Sequence, residues 1–312
     1  MSSILIRRAN MVCGGTPPVP VDYDTKYLTF EAQEAGTFSF NLPAAITSSH
    51  VTSVSYSIDD GETWTTTNNT DSAITITTPT INSGHKVLWK GIAVRYGTST
   101  SDYCNFSSTG RFLVNGNMMS LLYGDDFINK TSLGSSTYVL NGLFRNCSNL
   151  TSAKNLVLKE SSVGQRNYNA MFQGCTSLTI APELPTTSVS HYGYYNMFHG
   201  CSSLGYAPAL PATSVGNYGY SGMFRGCTSL VQAPDLLLAT LNRQYCYYQM
   251  FYGCSSLNYI KCLATTISGT GATSNWVNGV AASGTFVKDS NMSSWSTGNS
   301  GIPSGWTVID AS

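Results

Sequence analysis

The chain has 312 residues, 16 basic and 16 acidic side chains, and a formal net charge of zero. That balance argues against a nucleic-acid partner, because phosphate neutralisation calls for a basic excess. Charged residues make up 10% of the chain against roughly 25% in an average soluble domain, a neutral polar surface that suits a protein outside the cytoplasm or inside a large assembly.

No run of about 18 apolar residues exists, so membrane insertion is not expected. In chain order, residues 1–20 read as an arm. The start Met-Ser-Ser-Ile-Leu-Ile-Arg-Arg places Ile4 and Ile6 before Arg7 and Arg8, the reverse of a secretory leader, and its apolar stretch is too short for one. The run Gly14-Gly15-Thr16-Pro17-Pro18-Val19-Pro20 is linker chemistry, flexible and then stiff.

Residues 21–117 change to period two. Strands are expected at 27–30, 36–40, 51–58, 73–77, 86–89, 92–96 and 111–114. Six or seven short strands separated by turn signals predict an immunoglobulin-like β-sandwich. Within it, Ser57-Ile58-Asp59-Asp60-Gly61-Glu62-Thr63-Trp64 resembles the Asp-box hairpin of sialidases and related propellers. There the motif is a folding element, so no glycosidase is inferred. A glycosidase wants a defined carboxylate pair in a cleft, and the scattered acids nominate none. Residues 118–137 form a junction, where Gly124-Asp125-Asp126-Phe127 reads as a turn, since one acidic pair gives too few ligands for a metal.

Residues 138–267 repeat. Tyr168–Leu184, Tyr194–Leu210 and Tyr220–Leu236 align without a gap, flanked by degenerate copies at Leu140–Leu156 and Tyr247–Leu263. Cys147, Cys175, Cys201, Cys227 and Cys254 mark a period in the range of leucine-rich repeats. The pairs Tyr168/Phe172 and Met171/Cys175 are four residues apart, which predicts a short helix in each repeat. Leu178, Ala181 and Leu184 then face inward from an extended segment. Stacked repeats bury one another's apolar sides, placing Phe144, Phe172, Phe198, Phe224 and Phe251 in one column and the five cysteines in another. The cysteines therefore read as buried free thiols; five equivalent positions cannot pair off as disulfides, and no close Cys-x-x-Cys pair suggests zinc. Pro182, Pro208 and Pro234 cannot donate to a ladder, so each strand is expected to end near Ala181, Ala207 and Ala233. Residues 268–312 lack the repeat and carry Trp276, Trp295 and Trp306, with strands expected at 284–288 and 305–309; they read as a C-terminal cap.

The core Met-Phe-x-Gly-Cys-x-Ser-Leu resembles the Treponema-type, or BspA-like, leucine-rich repeat over roughly residues 138–263. The Tyr27–Phe40 region, the junction Met119–Phe127 and the ending Gly301–Val308 are similar to proteins of gut Bacteroides and their phages. The resemblance implies adhesion to host-surface glycans or proteins, no catalysis and no cofactor. Without a secretory start, it favours a phage virion over the bacterial cell surface, which is the alternative. Met1–Arg8 resembles a docking peptide of such particles, making Ile4, Ile6, Arg7 and Arg8 the anchor candidates toward other virion proteins. A homo-oligomer is expected.

Six residues before each ladder phenylalanine stand Tyr138, Arg166, Tyr192, Tyr218 and Tyr245. This row is out of phase with the core. Arg166, Tyr192, Tyr218 and Tyr245 are the candidate ligand-binding residues, since exposed tyrosines suit sugar or protein recognition; the other reading is that the rings pack on each other and stabilise the stack. His50, His85, His191 and His199 have no evident nucleophile partners, and an enzyme is not expected.

Overall fold

The computed structural model describes residues 21–292 and 295–311. The arm, with Ile4, Ile6, Arg7 and Arg8, lies outside the described residues.

The architecture is mainly β. Eight strands make up the first part: β1 (Leu28–Ala32), β2 (Phe38–Leu42), β3 (Val51–Ser57), β4 (Thr65–Asn68), β5 (Ile74–Thr77), β6 (Lys86–Ala93), β7 (Asn105–Ser108) and β8 (Phe112–Asn117). With β9 (Leu150–Val157) they form a six-stranded sheet ordered β4-β3-β6-β1-β8-β9 and a three-stranded sheet ordered β5-β2-β7. Alternating apolar residues fill the space between the sheets. The Phe30 ring of the larger sheet lies 5.5 Å from Phe38 and 4.8 Å from Phe106 of the smaller one.

Two expectations change here. The segments 86–89 and 92–96 are not two strands: β6 runs through both as far as Ala93, and Val94–Tyr96 leaves the sheet. Gly91 explains how the strand passes, because a Cβ there would come 2.6 Å from the Tyr96 hydroxyl and 2.7 Å from the Leu121 carbonyl. The strands β4 and β7 were not expected. They read Thr-Thr-Thr-Asn and Asn-Phe-Ser-Ser, too polar and too short for the period-two signal.

The second part is a β-solenoid of about six turns. Its first strand, β9, pairs in parallel with β8, so the larger sheet runs into the solenoid without interruption. The Phe106 ring stacks on Phe144 at 5.5 Å and starts a column that continues through Phe172, Phe198, Phe224 and Phe251 at spacings of 5.4 to 5.8 Å. One buried cluster extends from Leu28 to Trp306.

The expected helix in each repeat is absent. In its place is a run of turns with a four-residue rhythm. Arg166, Ala170 and Gly174 all have positive φ (58°, 52° and 76°), and the same positions recur at Tyr192, Asn196 and Gly200 and at Tyr218, Gly222 and Gly226. A right-handed helix cannot take a left-handed residue every fourth position. Backbone donors alternate instead. Tyr168, Ala170, Phe172 and Gly174 N–H groups donate to the next coil, at the carbonyls of Gly193, Tyr195, Met197 and His199 (2.8–3.1 Å). Met171, Gln173 and Cys175 donate three residues back within their own coil. A period of four brings residues four apart onto one face just as a helix does, so the expected faces hold: Tyr168, Met171, Phe172 and Cys175 are all buried.

The opposite side of each coil is extended. Ile180 makes a single bridge to Ser152, and Tyr206 one to Gln232. No ladder is assigned from Ala181 to Thr187, the stretch that contains Pro182 and Pro185. Where lysine replaces the proline, at Lys154 and Lys261, full strands form: β9, and β14 (Tyr259–Cys262). Two-residue strands close each turn, β10 (Ser162–Val163), β11 (Ser188–Val189) and β12 (Ser214–Val215) in one parallel sheet, and β13 (Thr240–Leu241) with β15 (Thr266–Ile267) in another.

The C-terminal segment continues the solenoid. Strands β16 (Thr285–Lys288) and β17 (Thr307–Asp310) extend β14 in a parallel three-stranded sheet. Gly271, Asn275 and Gly279 repeat the positive-φ rhythm at 60°, 51° and 78°. The expectation that the repeat stops is therefore corrected: its backbone persists while its side chains change. Trp276 lies under Tyr247 at 6.2 Å and Trp295 stacks on Trp276 at 5.6 Å.

Candidate binding face

The turn side of the solenoid displays three columns. The first consists of Tyr138, Arg166, Tyr192, Tyr218 and Tyr245, all half-buried and all in the left-handed region, with φ of 53–60°. The buried core residues stand two and six positions later, at Tyr168 and Phe172 after Arg166 and at Tyr194 and Phe198 after Tyr192. The Tyr192 and Tyr218 rings stack at 4.6 Å and 5°, and Tyr218 meets Tyr245 at 4.9 Å. The Arg166 guanidinium lies 3.8 Å above the Tyr192 ring and 5.5 Å from that of Tyr138. At the far end stands Gly271, where a Cβ would fall 2.3 Å from the Tyr245 ring.

The structure thus brings all four candidate residues into one row. It also fixes what they offer: ring faces are used against each other, and edges and hydroxyls face outward. Partial burial, and then the neighbouring phenols of Tyr192 and Tyr245, raise the pKa of Tyr218, so this phenol stays neutral at pH 7.

The second column, Asn141, Asn169, Tyr195, Ser221 and Tyr248, packs against the first, with Tyr195 edge-on to Tyr192 at 5.5 Å and Tyr248 edge-on to Tyr245 at 5.3 Å. The third, Arg145, Gln173, His199, Arg225 and Tyr252, is joined by Gln173 Nε2 to His199 Nδ1 at 3.2 Å and by Arg225 above the Tyr252 ring at 4.9 Å. Burial, then Arg225 and Arg145, hold the His199 pKa below its ordinary value.

Beneath the face, the inner tyrosines Tyr168, Tyr194, Tyr220 and Tyr247 are buried. Their hydroxyls meet a column that sequence reasoning passed over. The Tyr168 hydroxyl donates to Glu160 Oε2. Glu160 is 3% exposed, and burial pushes its carboxyl up to about 7. One coil on, Thr186 takes this place; a further coil on, Ala212 does, and the Tyr220 hydroxyl has no hydrogen-bond partner among the described residues. Glu160 gave no sequence signal because it falls outside the aligned segments.

The cysteine column is interior. The Cys175, Cys201, Cys227 and Cys254 thiols donate to the carbonyls of Phe144, Phe172, Phe198 and Phe224, each in the preceding coil, at 2.9–3.1 Å. Burial pushes the Cys147 and Cys254 thiols up to about 12. No group of histidine, cysteine and acidic side chains suited to a metal occurs among the described residues.

In the first part, the Asp59 carboxylate closes its hairpin, accepting from the Ser57 hydroxyl at 2.7 Å and the Thr63 N–H at 3.0 Å, while Gly61 takes φ of 94°. These bonds lower the Asp59 pKa to about 2. Trp64 is half-buried, with its indole N–H on the Gly61 carbonyl and the Lys90 ammonium 4.1 Å from its ring. Asp125 of the junction accepts from Lys90 at 2.8 Å and from the Tyr27 hydroxyl at 2.7 Å, which ties the junction turn to β6 and to the residue before β1.

No family model, curated protein or solved structure matches this chain.

Proposed function

We propose that this chain is a non-enzymatic binding protein, a phage virion accessory protein of the fibre-tip or capsid-decorating kind. In this reading residues 1–20, through Ile4, Ile6, Arg7 and Arg8, anchor it to other virion proteins. The solenoid is a leucine-rich repeat of the BspA-like kind, following an immunoglobulin-like sandwich, and presents its turn face to a host-surface glycan or protein. The chain acts as a homo-oligomer.

The observation that carries the reading is the row Tyr138–Arg166–Tyr192–Tyr218–Tyr245. It is continuous over five coils, rigid because each ring is held by the next, and edged with hydroxyls. Rigid aromatics with a polar edge bind at low entropic cost. Buried, carbonyl-bonded thiols support the non-enzymatic reading, since the thiolate is the reactive form.

The test is the Tyr192→Ala/Tyr218→Ala/Tyr245→Ala variant. Adsorption to host cells should fall by about tenfold or more with the fold retained by circular dichroism; unchanged adsorption would overturn the reading. Deleting residues 1–20 separates it from the alternative of a bacterial surface adhesin. The truncated chain should fold and bind, yet fail to join particles; if it still joins them, the arm is not the anchor.

A further inference from the structure

We propose that the turn face takes an anionic polysaccharide laid across the coils, an inference that rests on the adhesive reading above and assigns its ligand a charge. The observation is a segregation of charge within a neutral chain. The turn segments 138–149, 166–177, 192–203, 218–229 and 245–256 contain no aspartate or glutamate, yet they contain Arg145, Arg166 and Arg225. The acids of the repeats lie elsewhere, as Glu183 and Asp235 on the extended side and as Glu160 in the interior.

The cations of the molecule divide in the same way. Every ion pair among the described residues uses a lysine: Lys90–Asp125, Lys159–Asp24, Lys261–Asp235 and Lys288–Asp310. The three arginines of the turn face are in none of them. Each lies over a ring instead, Arg145 at 5.3 Å from Tyr103, Arg166 at 3.8 Å from Tyr192 and Arg225 at 4.9 Å from Tyr252. A guanidinium held by its flat face keeps an N–H edge for a bidentate carboxylate or sulfate. Part of that edge is used internally, by Arg225 on Gln249 Oε1 at 2.8 Å and by Arg145 on the Thr100 carbonyl at 3.4 Å, and Arg166 has no such bond among the described residues. Asp102, in the loop that Asn141 grips, is held by the Ser99 and Ser101 hydroxyls.

The neutral groups on the face point to a sugar chain. The tyrosines of the first column, Tyr192, Tyr218 and Tyr245, repeat coil by coil with rings 4.6 and 4.9 Å apart, and a regular row of phenols suits a polymer of hydroxyl groups. A nucleic acid is disfavoured on two counts. Single-stranded bases need free aromatic faces on which to stack, whereas these faces are occupied by one another, and three arginines over five coils are sparse beside a phosphate backbone.

The experiment uses the full chain with polygalacturonate, which carries a carboxylate on every sugar, neutral dextran of matched length, and single-stranded DNA, in affinity electrophoresis and calorimetry. Polygalacturonate should bind, dextran should not, and added salt should weaken binding. The Arg166→Gln/Arg225→Gln variant should lose about tenfold or more, the Arg166→Lys/Arg225→Lys variant should fall between, and Lys261→Gln/Lys288→Gln on the strand side should bind as the native chain does. The lysine-for-arginine variant keeps the test decisive if the glutamine variant fails to fold. The inference is overturned by equal binding of dextran, by no binding of polygalacturonate, by arginine variants that bind like the native chain, or by tighter binding of DNA. If these results overturn it while the triple tyrosine variant still loses cell adsorption, the adhesive reading stands and only the charge of the ligand is wrong.

Discussion

The two sides of the solenoid are held together differently. On the turn side, alternate backbone N–H groups cross to the next coil, and the pattern survives from Tyr138 to Gly279 through five changes of side chain. On the strand side, hydrogen bonding between coils depends on one residue per repeat. Proline at 182, 208 and 234 leaves only isolated bridges, such as Ser152 to Ile180, Tyr206 to Gln232, and Gln232 to Tyr259 with Leu236 to Cys262, and lysine at 154 and 261 stands in strands of eight and four residues. Order between coils therefore comes from backbone geometry on one side and from side-chain identity on the other. The ring columns reinforce the turn side only, so the stable edge of the molecule is also the one that displays the candidate ligand residues.

The largest effect should come from the shared column. Phe198→Ala leaves a gap between Phe172 and Phe224, both fully buried, and should cost about 3–5 kcal/mol in urea denaturation. Tyr206→Ala, 73% exposed on the strand side, should change stability by less than about 0.5 kcal/mol. Equal losses would break the comparison. Next comes Glu160, with a carboxyl raised from 4.5 to about 7. The folded chain holds this proton more tightly than the unfolded chain does. The stability it confers is full below about pH 4.5 and is lost as pH rises through 7, roughly 3 kcal/mol in all. Denaturation from pH 4 to 8, in units set by that window, should show the decline, and Glu160→Gln should flatten it; a slope that persists in the variant would assign the effect to another group. The smallest effect sharpens the strand side. Ala207→Ile with Pro208→Lys copies Ile260-Lys261 and should slow amide exchange around Tyr206 by adding ladder bonds, with little change in overall stability. Exchange as fast as in the native chain would show that something other than proline ends the strand.

Much of this was legible in the sequence because the repeat is read by spacing alone. The columns of Phe, Cys and inner Tyr follow from the alignment, whatever the backbone does between them. The helix was the wrong deduction from a right observation, since periods of four and 3.6 are indistinguishable over two turns. The distinguishing mark was a glycine four residues after another tolerant position, as in Gly222 and Gly226, which a helix interior disfavours. The same spacing at Gly271, Asn275 and Gly279 would have revealed the sixth turn had backbone been weighed before side chains. In the first part, the Asp59 hairpin was readable because all its partners lie within a few residues. The strands β4 and β7 were not, because their pairing is set by distant strands. In the candidate face, the row of Arg166 and the tyrosines was visible, but the stacking that spends their ring faces is a property of the coil spacing.

The thiol column has a consequence for the chemistry of the interior. Eight cysteines are described, all unpaired and all buried, and four of them donate to a neighbouring coil's carbonyl. Their protonated form is the structural one, and burial keeps the ionised, oxidisable form out of reach. For these eight thiols the fold itself supplies the protection: the described interior is built on the reduced side chains, and forming a disulfide among them would require the coils to part.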